Sequence, residues 1–255
     1  MIGFSTAKIN IGLSVLGKRQ DGFHDIQSIF YPIPLSDIIE IQKSERDEFH
    51  SYGTELASKN LITQARDLLR SIYQFGPVHI VIQKKIPLGA GLGGGSSNAV
   101  TTMKLLNQLY RLNIGEEELL SLSLKLGSDC PFFVKNTPQE VSGRGEIMTD
   151  AKISLKGKYI VLINPGIHIS TAEAFQKLKV VEKSNRPLSD WKKLTNDFQA
   201  GAIENYPKIA DALAELKHLG AAYTSITGTG STVYGIFDHA IDFETGSNRW
   251  LFQLN

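Results

Sequence analysis

The sequence predicts an α+β protein in two lobes. Three observations carry that prediction: the first third is strand-rich, the later strands and helices do not alternate as a wound βαβ sheet requires, and the pattern changes after "QEVSGRGEIMT". The domains are therefore placed at 1–150 and 151–255, with a soft boundary near Asp150, no low-complexity linker and no internal repeat.

The elements follow in order. "AKINIGLSVLG", "HDIQSIFYPI" and "DIIEIQK" read as strands, punctuated by the turn-forming stretches "KRQDGF" and "PLSD". "NLITQARDLLRSIY" (Asn60 to Tyr73) is the first helix, and "VHIVIQKKI" (Val78 to Ile86) alternates apolar and polar residues as a strand does. Ala99, Met103, Leu106 and Tyr110 recur at helical spacing, and "EEELLSLSLKL" starts another helix that Gly127 is predicted to cap. The second lobe has a buried-type strand "YIVLINP", a helix opening at Ser170 and Thr171, two helical stretches between Leu188 and Leu219, and "YTSITGTGSTVYGIF" as strand, turn and strand. The tail "DHAIDFETGSNRWLFQLN" carries no legible pattern.

Composition narrows the function classes. With 255 residues, a net charge of +1 and a pI near 7.8, nothing pulls the chain toward nucleic acid or a membrane surface. The six histidines are scattered and Cys130 is the single cysteine, so neither a disulfide framework nor a Cys/His zinc site is expected. The longest apolar run is "YIVLI", and "MIGFSTAKINIGLSVLG" lacks a basic leader, so a cytoplasmic chain without signal peptide is expected.

The chemistry concentrates in "PLGAGLGGGSSNAV". Five glycines between Gly89 and Gly95 are entropically costly unless unusual dihedrals or close ligand approach require them. Amides leading into a helix N-terminus favour phosphate, and Ser96, Ser97 and Asn98 all suit a cap. Pro87, Leu88, Gly89, Ala90, Gly91, Leu92, Gly93, Gly94, Gly95, Ser96 and Ser97 are thus the candidate phosphate loop. The P-loop pattern fails for want of Gly-Lys-Ser/Thr. "GAGLGG" satisfies GxGxxG, but the acidic residues about 20 positions on start a helix instead of ending a second strand.

Three short elements join it. "STAKIN" puts Lys8 and Asn10 on one strand face, "GSDCPFF" puts Asp129 in a constrained corner, and "TGTGS" is a second glycine turn between strands. Alone, each has a plain reading: a solvated edge lysine, a turn aspartate, an ordinary hairpin. Cys130 reads as a small buried hydrophobe.

Together and in this order, "STAKIN", "PLGAGLGGGSSNA" and "TGTGS" resemble the three motifs of the GHMP kinases. "AKINIGLSVLGKRQDGFHDIQSIF", "GSDCPFF" and "NPGIHISTAEAF" are similar to the 4-diphosphocytidyl-2-C-methyl-D-erythritol kinases of the non-mevalonate isoprenoid pathway, "GKRxDGFH" being the specific part. The resemblance implies a two-lobed fold, with an N-terminal lobe of the ribosomal-protein-S5-domain-2-like kind and a ferredoxin-like C-terminal lobe. It also implies ATP-dependent transfer to the 2-hydroxyl of a cytidyl diphosphate sugar alcohol, with Mg²⁺. By position, Lys8 and Asp129 match the catalytic pair. Asn10, Phe23, His24, Thr171, Phe175 and the Gly228, Thr229, Gly230 turn match substrate positions, and Asn60 and Lys84 the adenosine side. Phe23 stands where that family often has tyrosine, which keeps a ring and removes a hydroxyl. A homoserine- or mevalonate-type kinase and a non-enzymatic α+β binding module are the alternatives.

Overall fold

The computed structural model of the protein describes residues 1–178 and 187–254. They form two compact units: Met1–Ala7, Leu35–Leu88 and Gly93–Thr137 make unit 1, and Lys8–Pro34, Gly89–Leu92 and Pro138–Asn255 make unit 2. Each unit is assembled from several pieces of chain. Among the described residues no helix is long and apolar enough to cross a membrane.

Two long strands, β1 (Ile2–Lys18) and β2 (His24–Lys43), contribute to both units. In unit 1 the end of β2 pairs antiparallel with β4 (Val78–Gln83), and β4 pairs parallel with β3 (Glu48–Tyr52). Ile39, Ile41, Ile80 and Ile82 alternate into a fully buried face, as period-two patterning requires. Helices α1 (Leu61–Arg70) and α2 (Gly94–Tyr110) pack together, followed by α3 (Glu116–Leu124) and α4 (Cys130–Lys135).

Unit 2 holds a second ladder, in which the start of β2 pairs with β5 (Gln139–Ser142) and β5 with β6 (Ile147–Asp150). Its four-stranded antiparallel sheet has the order β10-β7-β9-β8, from Arg249–Gln253, Tyr159–Ile163, Val233–Phe237 and Tyr223–Ile226. Helix α7 (Pro207–His218) packs on β8 and β9, burying Ile209, Leu213 and Leu216 with Phe198, Ile226 and Val233. Helices α5 (Thr171–Lys177) and α6 (Gln199–Asn205) complete the unit.

Three local expectations are corrected. "PLSD" is no turn: β2 runs unbroken through it, because Pro32 and Pro34 fall between the β5 ladder, which ends at Phe30, and the β4 ladder, which begins at Ile38, so their missing N–H groups cost neither. Gly127 does not cap α3, which ends at Leu124 with Lys125 as C-cap; the Gly127 carbonyl instead accepts the Cys130 N–H at 3.1 Å. The tail is structured as well, its "RWLFQ" forming edge strand β10 against β7.

Candidate active site

The glycine loop joins β4 to α2 through three left-handed residues at alternate positions, Gly89 (φ 61°), Gly91 (77°) and Gly93 (69°). Ala90 and Leu92, between them, are buried and pin the loop. Left-handed residues at this spacing turn neighbouring amides toward one concavity, a geometry suited to anions. Helix α2 then opens at Gly94 with Gly93 as N-cap, a residue with no side chain to cap the first amides, and the positive end of the helix dipole lies at the end of the glycine loop.

This corrects the expectation that Ser96, Ser97 or Asn98 caps α2. Ser97 and Asn98 are buried and turn inward, into a polar network within unit 1. The Asn98 amide donates to Asp37 Oδ2 and Ser5 Oγ, both at 2.9 Å, and Ser5 Oγ donates to Ser97 Oγ at 2.9 Å. Asp37 Oδ1 accepts the Lys85 and Ile86 amides at 2.7 and 2.9 Å, and Lys84 forms a fully buried ion pair with the same carboxylate. The Lys84 ammonium also donates to Asn98 Oδ1 at 3.3 Å. The strand end that feeds the loop and the start of α2, through Asn98, are thereby tied to one carboxylate. Removing one partner of such a pair strands the other charge, so Asp37→Ala should cost about 3–5 kcal/mol, whereas replacing both members, as in Asp37→Leu with Lys84→Met, should recover much of it. Urea unfolding of the three proteins measures this.

Asn60 is the N-cap of α1 in a capping box: its Oδ1 accepts the Ile62 and Thr63 amides at 2.9 and 3.2 Å, and its own amide donates to the Ala57 carbonyl at 2.8 Å. Leu61, next to it, sits beneath Gly95, where an added Cβ would lie 3.3 Å from its Cδ1. Asp129 occupies the N-cap position of α4, half-buried, with Pro131 fixing the first turn. Burial pushes the adjacent Cys130 thiol up to about 11 against a weaker pull from its hydrogen bond with Ser96. A thiol so protonated is no nucleophile, and a maleimide should label Cys130 only on unfolding.

In unit 2 the residues Gly89 to Leu92 rest on the "TGTGS" turn and on β1. The Lys8 amide donates to the Leu92 carbonyl at 2.9 Å, and Thr227 Oγ1 donates to the Gly91 carbonyl at 2.9 Å. A Cβ on Gly91 would stand 2.0 Å from the Thr227 carbonyl oxygen. Gly91→Ala should therefore destabilise unit 2, by roughly 2–5 kcal/mol from overpacking and the left-handed backbone together. Gly93→Asn, which tolerates that backbone, should leave thermal stability near wild type while weakening the binding of a phosphate-bearing ligand at the loop. Thermal denaturation beside nucleotide titration separates the two.

Lys8 and Asn10 form the buried floor of this half. The Lys8 ammonium donates to Asn10 Oδ1 at 2.6 Å and lies 4.4 Å from the centroid of the Phe30 ring. Asn10 Oδ1 also accepts the Gly228 amide at 3.0 Å and the Thr227 hydroxyl at 3.3 Å, and Asn10 Nδ2 donates to Ser28 Oγ at 3.1 Å. The Tyr234 hydroxyl, raised well above its ordinary pKa by complete burial, donates to the Asn10 carbonyl at 2.6 Å. Asn10 is thus wired into its surroundings and sets the position of both Lys8 and the glycine turn. Asn196 props the same turn, donating to the Ile226 and Gly228 carbonyls at 3.1 and 2.9 Å.

The "GKRQDGFH" segment is a clamped hairpin. Arg19 bridges Asp21 at 3.1 Å and Asp25 at 2.8 Å, its amide donates to the Phe23 carbonyl at 2.8 Å, and Gly22 supplies a φ of 85°. The clamp presents Phe23 half in solvent, with the Arg144 guanidinium 4.6 Å from its ring centroid. His24 stacks on Phe175 at 4.8 Å and 26°, and Phe175 meets Phe198 edge-on at 4.8 Å. Beside them Thr171 Oγ1 lies 3.4 Å from Thr229 Oγ1, joining α5 to the glycine turn, whose Gly230 has a φ of 96°.

Within unit 2, then, Lys8, Asn10, Gly91, Leu92 and Gly228 are connected, as are His24 with Phe175 and Thr171 with Thr229. Within unit 1, Lys84 and Ser97 share a network, while Asn60 is spent on its cap. Sequence reasoning missed Asp37, Ser28, Asn196, Arg144 and also His168, whose ring lies within 3.0 Å of where a Gly89 Cβ would be.

The comparisons with known proteins bear on the same segments. Residues 60–136 match the GHMP kinases N terminal domain and residues 172–250 the GHMP kinases C terminal domain, on either side of Asp150. A 4-diphosphocytidyl-2-C-methyl-D-erythritol kinase of Bacteroides thetaiotaomicron is 42% identical over 253 residues, covering 93% of this chain and 92% of its own. That of Cytophaga hutchinsonii is 43% identical over 252 residues, covering 93% of each. A crystal structure of a 4-(cytidine 5'-diphospho)-2C-methyl-D-erythritol kinase superposes with a TM-score of 0.80 at 28% identity, over 92% of this chain and 90% of that one. The Methanococcus jannaschii mevalonate kinase shares the fold, with a TM-score of 0.62 at 17% identity over 93% of this chain and 90% of its own. The chain has the two-lobed α+β fold of the GHMP kinases and belongs to the 4-diphosphocytidyl-2-C-methyl-D-erythritol kinase family.

Proposed function

We propose that the protein transfers the γ-phosphoryl group of ATP to the 2-hydroxyl of 4-diphosphocytidyl-2-C-methyl-D-erythritol. The observation that carries the substrate half is the His24–Phe175 stack at the foot of the Arg19 clamp, where a planar base can be held by rings and read by the His24 imidazole. Support for the ATP half comes from the start of α2, whose N-cap is a glycine without a side-chain cap, and from the alternate left-handed glycines before it. We further propose 1–150 and 151–255 as the two sequence domains, the first supplying the phosphate loop.

Phosphoryl transfer asks for positioning and charge stabilisation more than for covalent help. The loop amides and the α2 dipole orient the phosphates. Asp129 takes the proton of the substrate hydroxyl as that oxygen attacks. Lys8, fixed by Asn10, opposes negative charge building on the transferring oxygens. Asn60 and Lys84 serve the nucleotide side through the scaffold, one by capping α1 and the other by holding the loop against Asp37. Mg²⁺ would neutralise charge on the β- and γ-oxygens. It takes one or two protein oxygens beside water and phosphate, and Asp129, next to Cys130 in the chain, with Ser96, hydrogen-bonded to Cys130, offer oxygen donors of that kind.

The clamp gives the reading a test of its own. Arg19→Ala frees the hairpin that presents Phe23 and His24 without touching the reacting atoms. It should raise KM for the cytidyl substrate roughly five- to tenfold, leaving kcat and the KM for ATP near wild type. Steady-state kinetics with each substrate varied in turn decides this, and a loss confined to kcat would count against it.

A further inference from the structure

Two histidines that look scattered in the sequence meet in unit 1. Strands β3 and β4 run parallel with Glu48 opposite His79 and with His50 two residues further along β3, so all three side chains leave one face of the ladder at its edge strand. One ligand-capable atom from each, a carboxylate oxygen and two imidazole nitrogens, lies within 4.8 Å of the other two. The imidazole rings meet edge to face at 5.1 Å and 85°.

His79 is also oriented. Its Nδ1 lies 3.2 Å from the amide of Gln42, its register partner on β2, while its Nε2 is buried without a hydrogen-bond partner. A buried polar atom left unpaired is costly, so this nitrogen calls for a ligand. Half a turn of the Gln42 amide sets its oxygen against Nδ1–H and leaves the Nε2 lone pair to donate, the arrangement by which an outer amide or carbonyl steers a metal-binding imidazole.

We propose that Glu48, His50 and His79 bind a divalent transition ion of the Zn²⁺ class, apart from the phosphoryl-transfer site, pinning edge strand β3 to β4. Two imidazoles and a carboxylate suit Zn²⁺, with water in the fourth position, whereas Mg²⁺ prefers oxygen donors throughout. Donors about 2.0–2.1 Å from a tetrahedral ion stand about 3.3 Å apart, so the side chains must close in by rotation. His50 is exposed and Glu48 partly so, which leaves them room to move. Glu48 bonds Arg46 at 2.6 Å through Oε1, but Arg46 is 83% exposed, and a pair so open to water yields readily and leaves Oε2 available.

The test titrates Zn²⁺ into the untagged, full-length protein by calorimetry and follows Co²⁺ substitution by visible absorption. One equivalent should bind, with the strong d–d bands of a four-coordinate ion and a rise in Tm. His50→Gln and His79→Gln should each lose at least about tenfold in affinity together with those bands, and Gln42→Ala about tenfold, the scale on which outer-shell partners act. Circular dichroism, and kinase activity assayed with Mg²⁺ but without added Zn²⁺ or Co²⁺, should match wild type in all three variants, which keeps loss of a ligand apart from loss of fold. Equal Zn²⁺ affinity in wild type and His79→Gln, or a weak octahedral Co²⁺ spectrum in wild type, overturns the proposal.

Discussion

Asp129→Asn should lower kcat by about 10²–10⁴, the range that a positioned general base contributes, with little change in the affinity for either substrate. The asparagine keeps the size of the side chain at the N-cap position of α4, where Asp129 makes no capping bond, so the helix should stand. Lys8→Met should have a similarly large effect, about 10²–10³, by removing a cation that Asn10 holds in place. If base and cation work on one transition state, the double variant should be little worse than the slower single. Single-turnover rates beside dissociation constants separate chemistry from binding. Near-normal turnover in Asp129→Asn, or losses that simply multiply, would remove the pair.

The second large effect concerns the base. Cytosine offers an amino donor and a ring-nitrogen acceptor where uracil offers an acceptor and an N–H donor, so a site built for one leaves groups unpaired with the other. The uridine analogue of the substrate should be used at least about a hundredfold less efficiently in kcat/KM, since lost polar complementarity discriminates far more strongly than lost apolar contact. Stacking on Phe175 favours either base and should not set the choice. His24→Ala should narrow the gap while weakening cytidyl binding, because the same substitution removes the reader and one ring of the stack. Equal efficiency with both analogues would remove the cytosine-reading role.

How legible all this was in the sequence depends on where the partners lie. The unusual backbone of the glycine loop was readable because five glycines in seven positions are costly unless the dihedrals or a close approach require them, and Gly89, Gly91 and Gly93 have φ values of 61°, 77° and 69°. The separate strands and helices of the second lobe were readable from local periodicity. Asn10 was singled out, but its wiring was not foreseeable: Thr227, Gly228 and Tyr234 lie more than 200 residues away, and nothing local marks them as its partners. Asp37 was hidden by the misreading of "PLSD" as a turn, since proline and aspartate are common in turns and the strand carries both only because the ladders change partner there. Ser97 and Asn98 illustrate a chemical ambiguity: side chains good at capping are equally good at satisfying a buried carboxylate. Strand β10 escaped notice because its residues are half-buried, without the alternation that marks an edge between core and solvent.

The account is tested most directly by phosphoryl transfer from ATP, in the presence of Mg²⁺, to 4-diphosphocytidyl-2-C-methyl-D-erythritol, run beside mevalonate and homoserine with product identified by phosphorus NMR. A single new phosphomonoester at the 2-position of the cytidyl substrate, with no turnover of the other two alcohols, is the expected result. Transfer to mevalonate or homoserine in preference to the cytidyl compound, or absence of transfer with intact nucleotide binding, would contradict it.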